Sequence, residues 1–163
     1  EFCRALGGHA ITEFNYRYHD KRLAQIFVGV KLTDLPSELP KLVARLQNAD
    51  YGVEDLTDNE LAKLHLRHMV GGKPAGSLQE RVYSFEFPEY PGALSRFLNT
   101  LGQSWNITLF HYRNHGAAFG QVLAAFEAAE AQKDELHRHL DKVGFVWRDE
   151  TENSSVSMFL RNE

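Results

Sequence analysis

The sequence predicts an α+β fold of two βαββαβ units with antiparallel sheets, on three observations. The first is an internal repeat: Thr12, Phe14, Tyr16, Arg17, His19 and Gln25 recur 96 residues later as Thr108, Phe110, Tyr112, Arg113, His115 and Gln121. Further on the offset is 94, with Thr57, Asn59, Leu66 and Arg67 answering to Thr151, Asn153, Leu160 and Arg161. The second is an alternation, within each copy, between the period of a strand and the period of an amphipathic helix. The third is the stretch Gly71-Gly72-Lys73-Pro74-Ala75-Gly76-Ser77, dense in turn formers and free of large apolar residues, which reads as a linker. It divides the chain into a first unit, 1–74, and a second, 78–163. A doubled unit builds two related surfaces or one pseudo-symmetric one, and that points toward ligand sensing.

The second unit is read in order. Arg81–Phe87 alternates, Tyr83, Phe85 and Phe87 on one face against Val82, Ser84 and Glu86 on the other, as in a half-buried strand. Pro88 and Pro91-Gly92 stop it. Leu94, Phe97, Leu98 and Leu101 follow the i, i+3, i+4, i+7 rule of a helix that Gly102 ends. Ile107–Arg113 and Phe119–Glu127 are strands joined across Asn114-His115-Gly116. Leu136, Leu140 and Val143 mark a second helix closed by Gly144, and strand character returns at Phe145–Trp147 and at Val156–Leu160. This order is that of a ferredoxin-like unit.

The first unit repeats it from its first helix onward. Phe2, Leu6 and Gly7 match Phe97, Leu101 and Gly102 at an offset of 95. The string TEFNYRYH (12–19) and the apolar stretch AQIFVGV (24–30) answer to the strands of the second unit, and in the first unit Leu39, Leu42, Val43 and Leu46 form the later helix. Thr57-x-x-Glu60 resembles a capping box ahead of strand-like Leu64–Val70. Nothing corresponds to 80–95, so the first strand and the start of the first helix are missing. In a ferredoxin-like sheet that strand is central. The first unit is therefore expected to borrow a strand from a neighbouring chain or to open into a distorted sheet, the alternative being a disordered N-terminal segment ahead of Glu1.

Bulk properties bound the function. With 163 residues, 43% of them hydrophobic, the chain can bury a real core. A net charge of −4 and a pI near 6.1 supply no general basic field for nucleic acid or an anionic membrane. No apolar run approaches the roughly 20 residues of a spanning helix. One cysteine, Cys3, excludes an internal disulfide framework and fits a reducing, cytoplasmic compartment. The chain starts without Met and reads at once as mid-helix, so a fragment of a longer protein is expected.

The strings PEYPGALSRFLNTLG (88–102), WNITLFHYRNHG (105–116) and DLTDNELAKLHLRHMVGG (55–72), set in this element order, resemble the regulatory region of biosynthetic threonine deaminase. The resemblance covers essentially the whole chain. It implies two ACT-like subdomains that sense isoleucine, the inhibiting end product, with valine as antagonist. It further implies a homo-oligomer and an N-terminal catalytic domain dependent on pyridoxal phosphate. The catalytic signature, a lysine in a Ser-x-x-Lys-like segment with a Gly-rich phosphate loop, has no counterpart here, so neither catalysis nor a cofactor is expected of this fragment.

A free branched amino acid needs donors for its carboxylate, acceptors for its ammonium and a small apolar pocket. The turn Pro91-Gly92-Ala93-Leu94 offers helix N-terminal N–H groups, close backbone approach at Gly92 and apolar wall at Leu94. Asn106, Ile107 and Thr108 are expected to begin the next strand at the same end of the sheet. Adjacent strand residues point to opposite faces, so the tyrosine and arginine of each Tyr-Arg pair part company. By the resemblance, Tyr16 and Tyr112 line effector pockets, while Arg113, Arg67 and Arg17 help transmit the signal. With its turn missing, the first site is the more fragile.

Plainer readings cover the remaining polar residues. His65 and His68, and His111 and His115, have a metal-like spacing but lack a third ligand. His137 and His139 read as a solvated helix face, Cys3 as a small apolar residue, and Asp149–Asn153 as a solvated turn without the glycine of a calcium loop. Two other functions compete. One is an RNA-binding module stacking bases on Tyr83, Phe85, Phe87, Phe110 and Tyr112; the other is an assembly domain with no ligand response.

Overall fold

In the computed structural model, residues 2–18, 24–59, 74, 78–113 and 119–160 are described. The elements are α1 (Phe2–Ala5), β1 (Ile11–Arg17), β2 (Ile26–Val30), α2 (Leu35–Asn48), β3 (Glu80–Pro88), α3 (Ala93–Leu101), β4 (Asn106–Arg113), β5 (Phe119–Glu127), α4 (Lys133–Val143), β6 (Val146–Asp149) and α5 (Ser154–Phe159). A short 3-10 turn, Glu130–Gln132, leads into α4. The strand-like 64–70, Glu60, the linker other than Pro74, and the 114–116 connection lie outside the described residues.

The second half is a complete ferredoxin-like unit. Its strands lie in the order β4-β5-β3-β6, with β3 central, and every pairing is antiparallel. Periodicity explains the helices. Leu136, Leu140 and Val143 share the buried face of α4, and Gly144, in the left-handed region at φ 78°, closes it. Phe97 and Leu101 do the same for α3. Both helices cover Tyr83, Phe85, Phe87, Phe110, Val122, Ala124 and Phe126. Four of the five aromatics proposed to stack RNA bases are therefore interior: Tyr83, Phe85, Phe87 and Phe110 are 0–2% exposed.

The halves do not build separate sheets. β1 pairs with β4, so a single six-stranded sheet runs β2-β1-β4-β5-β3-β6. The register discloses a pseudo-two-fold axis. Asn15 faces His111, its mate under the repeat, while Phe14 faces Tyr112 and Tyr16 faces Phe110. The equivalent rings Phe14 and Phe110 meet edge to face at 5.5 Å. Repeat-related register shifts flank this axis, between Ile11 and Glu13 and between Ile107 and Leu109. The repeated threonines, Thr12 and Thr108, are thus bulge residues.

Four expectations need correction. Val156–Leu160 is not a strand; Ser154–Phe159 is helical, with the N–H groups of Val156 and Ser157 bonded to the Asn153 carbonyl. A four-residue spacing sets Val156 and Leu160 on one helix face, against Val82, Leu109 and Ala125. For that reason the second face of β3 is buried at Val82, while Ser84 and Glu86 along it stay half-buried. The histidines of α4 are not simply solvated: His137 Nε2 lies 3.1 Å from the Tyr83 hydroxyl, and His139 Nδ1 accepts the Trp105 indole N–H at 2.8 Å. Finally, the turn at 149–153 is pinned, since Thr151 is buried and its hydroxyl accepts the Val82 N–H.

α1, β1, β2 and α2 enclose a smaller core of Ala5, Leu6, Leu42 and Leu46. Among the described residues no strand pairs with the outer edge of β2.

Candidate functional site

Strand direction decides which candidates meet. β3 and β4 both run antiparallel to β5, hence parallel to each other. The turn after β3 lies at the C-terminal end of β4, whereas Asn106–Thr108 lie at its N-terminal end, about 20 Å away at roughly 3.3 Å per residue. The expectation that Asn106, Ile107 and Thr108 share an end with Pro91–Leu94 is therefore wrong: a helical crossover between parallel strands leaves by one end and returns at the other. The candidates form two corners.

At the first corner Pro88 ends β3 and its carbonyl accepts the Tyr90 N–H. Gly92 caps α3 at φ 92°, and Arg96 N–H bonds back to its carbonyl. Ala93 is buried and Leu94 packs on the core. Tyr112, half-buried on the helix-covered face, donates its hydroxyl to Glu89 Oε1 at 3.3 Å and sets its ring 6.2 Å from Phe87. Gly120 makes this possible, because a Cβ there would strike the Tyr112 ring and come within 3.0 Å of Glu89 Oε1. A carboxylate, a phenol, a helix N-terminus and an apolar wall converge here. Glu89 went unread in the sequence because its only signal is its distance from Tyr112.

The second corner holds Tyr16, Arg17 and the start of β4. Tyr16 packs on the helix-covered face, and burial pushes its phenol above the ordinary range, aided by Tyr18. Arg17 emerges on the opposite face. Its guanidinium binds the Glu80 carboxylate twice, at 2.7 and 3.0 Å, with side chains 0% and 3% exposed. It also donates to the carbonyls of Leu160 at 3.0 Å and Thr108 at 3.4 Å. The bulge at Thr108 turns that carbonyl toward β1, where it also accepts the Tyr18 N–H at 2.8 Å. Ile107 packs on the main core, while Asn106 is exposed and donates to Glu127 Oε2 at 2.8 Å. Arg113, half-buried, faces Glu13 in register. Arg67 lies outside the described residues.

A cleft of about 310 Å³ separates α1 from α3, lined by Phe2, Cys3, Arg4, Ser95, Leu98 and Asn99. Cys3 and Leu98 correspond at the 95-residue offset, so the cleft straddles the pseudo-two-fold axis. Burial raises the Cys3 thiol above its usual pKa, so it stays a thiol. Among the described residues no group of three or more His, Cys, Asp or Glu is placed to hold a metal, and no helix is long and apolar enough to cross a membrane.

Comparison with known proteins supplies the context. The family described as C-terminal regulatory domain of Threonine dehydratase matches residues 1–66 and 71–160. L-threonine dehydratase biosynthetic IlvA of Escherichia coli K12 is 53% identical over 160 residues, covering 98% of this chain and 31% of the relative. The mitochondrial threonine dehydratase of Saccharomyces cerevisiae is 41% identical, over 93% of this chain and 28% of its own length. That of Nicotiana attenuata is 33% identical, over 98% and 26%. The chain thus spans about a third or less of the curated relatives it matches.

Proposed function

This chain belongs to the family of C-terminal regulatory domains of threonine dehydratase, and we propose that it senses branched-chain amino acids for the polypeptide that carries it. Isoleucine is the inhibiting ligand and valine its antagonist. The observation that carries this reading is the first corner, where Tyr112, Glu89 and the Gly92 turn meet over the apolar Phe87 and Leu94. In it the N–H groups of the first turn of α3 take the ligand carboxylate. The Glu89 carboxylate and the Tyr112 oxygen take the ammonium, and the branched side chain lies on the apolar wall. Tyr16 occupies the related position in the first half, within a subdomain spanning 1–74, and Tyr112 in one spanning 78–163.

Transmission on this reading passes through the strands. Each tyrosine neighbours an arginine that reaches the opposite face, so a ligand that shifts Tyr16 also shifts Arg17 and, through Glu80, the central strand of the second half. Arg113 and Arg67 act likewise. Coupling of 1–3 kcal/mol is enough for such control.

The ammonia-lyase reaction and its pyridoxal phosphate belong to the remainder of the polypeptide. Lys31, Lys41 and Lys142 are exposed here and Lys133 is 39% exposed beside Asp149, so these lysines do not fit a buried Schiff base. An oligomeric enzyme in the cytoplasm completes the proposal. Titration calorimetry with isoleucine, valine and an unrelated amino acid tests it, with heats expected for the first two alone. Absence of heat from either branched ligand in the full-length polypeptide overturns it.

A further inference from the structure

His137 of α4 has two rivals for one atom. Its Nε2 lies 3.1 Å from the Tyr83 hydroxyl, on the central strand, and 3.8 Å from Asp149 Oδ2, at the end of β6. The imidazole meets the Tyr83 ring edge to face at 5.6 Å and the tilted Trp147 ring at 4.8 Å. Charged and titratable groups surround it from each element packed there. β3 brings Tyr83 and Arg81, β6 brings Asp149, and the 3-10 turn brings Glu130, which takes Arg81 at 2.8 Å. On α4 itself Lys133 and Asp141 stand four residues before and after His137. Lys133 lies 4.0 Å from the same Asp149 oxygen, and Asp141 Oδ1 accepts the Trp147 indole N–H at 3.0 Å.

A neutral imidazole accepts at one ring nitrogen, whereas an imidazolium donates at both. The Tyr83 phenol keeps its proton into alkali, since burial and then the Asp149 charge push it up to about 12 although Arg81 opposes them. Asp149 stays a carboxylate: burial works against the charge, but the hydrogen bonds from Thr151, with Arg81 and Lys133, bring it below the usual range. Both rivals thus hold their protonation states where histidine changes its own. We propose that His137 is a proton-operated clasp between α4 and β6: neutral, its Nε2 accepts the Tyr83 hydroxyl; protonated, the same nitrogen donates to the Asp149 carboxylate. The proton comes from water and adds at Nε2, so only a hydrogen bond is exchanged. The pull falls on the joint that carries α5. Asp149 Oδ1 accepts the Thr151 N–H at 2.9 Å, the Thr151 hydroxyl accepts the Val82 N–H at 3.1 Å, and just beyond α5 the Leu160 carbonyl takes Arg17. A proton gained in the helix layer is thereby felt on the opposite face of the sheet.

Double-mutant cycles read by urea unfolding of the 163-residue chain test the clasp, at about pH 8 and about pH 5.5, either side of the histidine range. His137→Ala is combined with Tyr83→Phe in one cycle and with Asp149→Asn in the other. Coupling of about fivefold or more in the unfolding equilibrium constant is expected with Tyr83 at the higher pH only, and with Asp149 at the lower pH only. Ring nitrogen chemical shifts of His137 give a second readout, with Nε2 bare at the higher pH and protonated at the lower. Coupling that stays with one partner at both pH values overturns the proposal. So does coupling to neither partner, or an Nε2 protonated throughout. If Tyr83→Phe fails to fold, the Asp149 cycle and the ring shifts decide together. Neither isoleucine nor valine enters the readouts, so the result is independent of the sensing proposal.

Discussion

Arg17 shows how much one side chain can be asked to do. It lies on the sheet face opposite α3 and α4, the face that α5 covers, joins β1 to the first residue of β3, and donates to the carbonyl of Leu160 just beyond α5. A buried pair gains little over apolar packing, but leaving one charge alone is costly. Arg17→Met should lower the unfolding free energy by about 3–5 kcal/mol, and Arg17→Met with Glu80→Leu should recover most of it. Urea unfolding in a double-mutant cycle checks this, and strictly additive losses would refute it. Gly120 is the counterpart at the ligand corner. Gly120→Ala pushes Tyr112 and Glu89 aside, and isoleucine binding by calorimetry should weaken about tenfold or more, roughly 1.4 kcal/mol.

Tyr83 sets the alkaline limit. Burial, then the Asp149 charge, pushes its phenol up to about 12 from 10.0, although Arg81 opposes the shift. An acid whose folded pKa is raised gives its stabilisation in full below the unfolded pKa and loses it as pH climbs toward the folded one. The unfolding midpoint should therefore fall between about pH 10 and 12, and Tyr83→Phe should flatten that fall; an unchanged slope in the variant would remove Tyr83 as its cause. Asp149 acts at the other extreme. Burial works against its charge, but the side-chain and backbone hydrogen bonds from Thr151, with Arg81 and Lys133, bring its carboxyl below the usual range. Its contribution is lost only as pH falls through that lowered value.

Among the elements, α5 separates local from tertiary control. Residues 156–160 are apolar enough for strand or helix, and alternation over five residues cannot choose between them. The choice falls to the face over Val82, Leu109 and Ala125, which a four-residue spacing covers from a helix. Val156→Asp places an unpaired carboxylate on that face and should cost about 3 kcal/mol or more, read as a fall in Tm. α4 illustrates the contrary case, since its periodicity and closing glycine were legible directly. Gly144→Ala should cost about 1–2 kcal/mol, because an L side chain strains the left-handed region that Gly144 occupies at φ 78°.

At the scale of the molecule, the repeat folds into one sheet about a pseudo-two-fold axis, and the two corners are unequal. The Tyr112 corner has its turn, its helix start and its carboxylate among the described residues; the Tyr16 corner has a partly buried phenol and the Arg17–Glu80 pair. In the 163-residue chain Tyr112→Ala should abolish the thermal shift produced by isoleucine, while Tyr16→Ala should leave most of it. The reverse pattern in differential scanning fluorimetry would move the principal site to the Tyr16 corner.

Periodicity, turn residues and the repeat were enough to place strands at 81–87, 107–113 and 119–127, within a residue of the observed bounds, and the helices between them, because these depend on neighbours a few residues away. They also placed Tyr16 and Arg17 on opposite faces. What the one-dimensional pattern could not contain was which strand ends meet. The union of the halves through β1 and β4, the parting of Asn106–Thr108 from the Gly92 turn, the pairing of Arg17 with Glu80 and of Tyr112 with Glu89 all follow from strand direction and register. Those are fixed by contacts between residues far apart in sequence, and only the tertiary structure decides them.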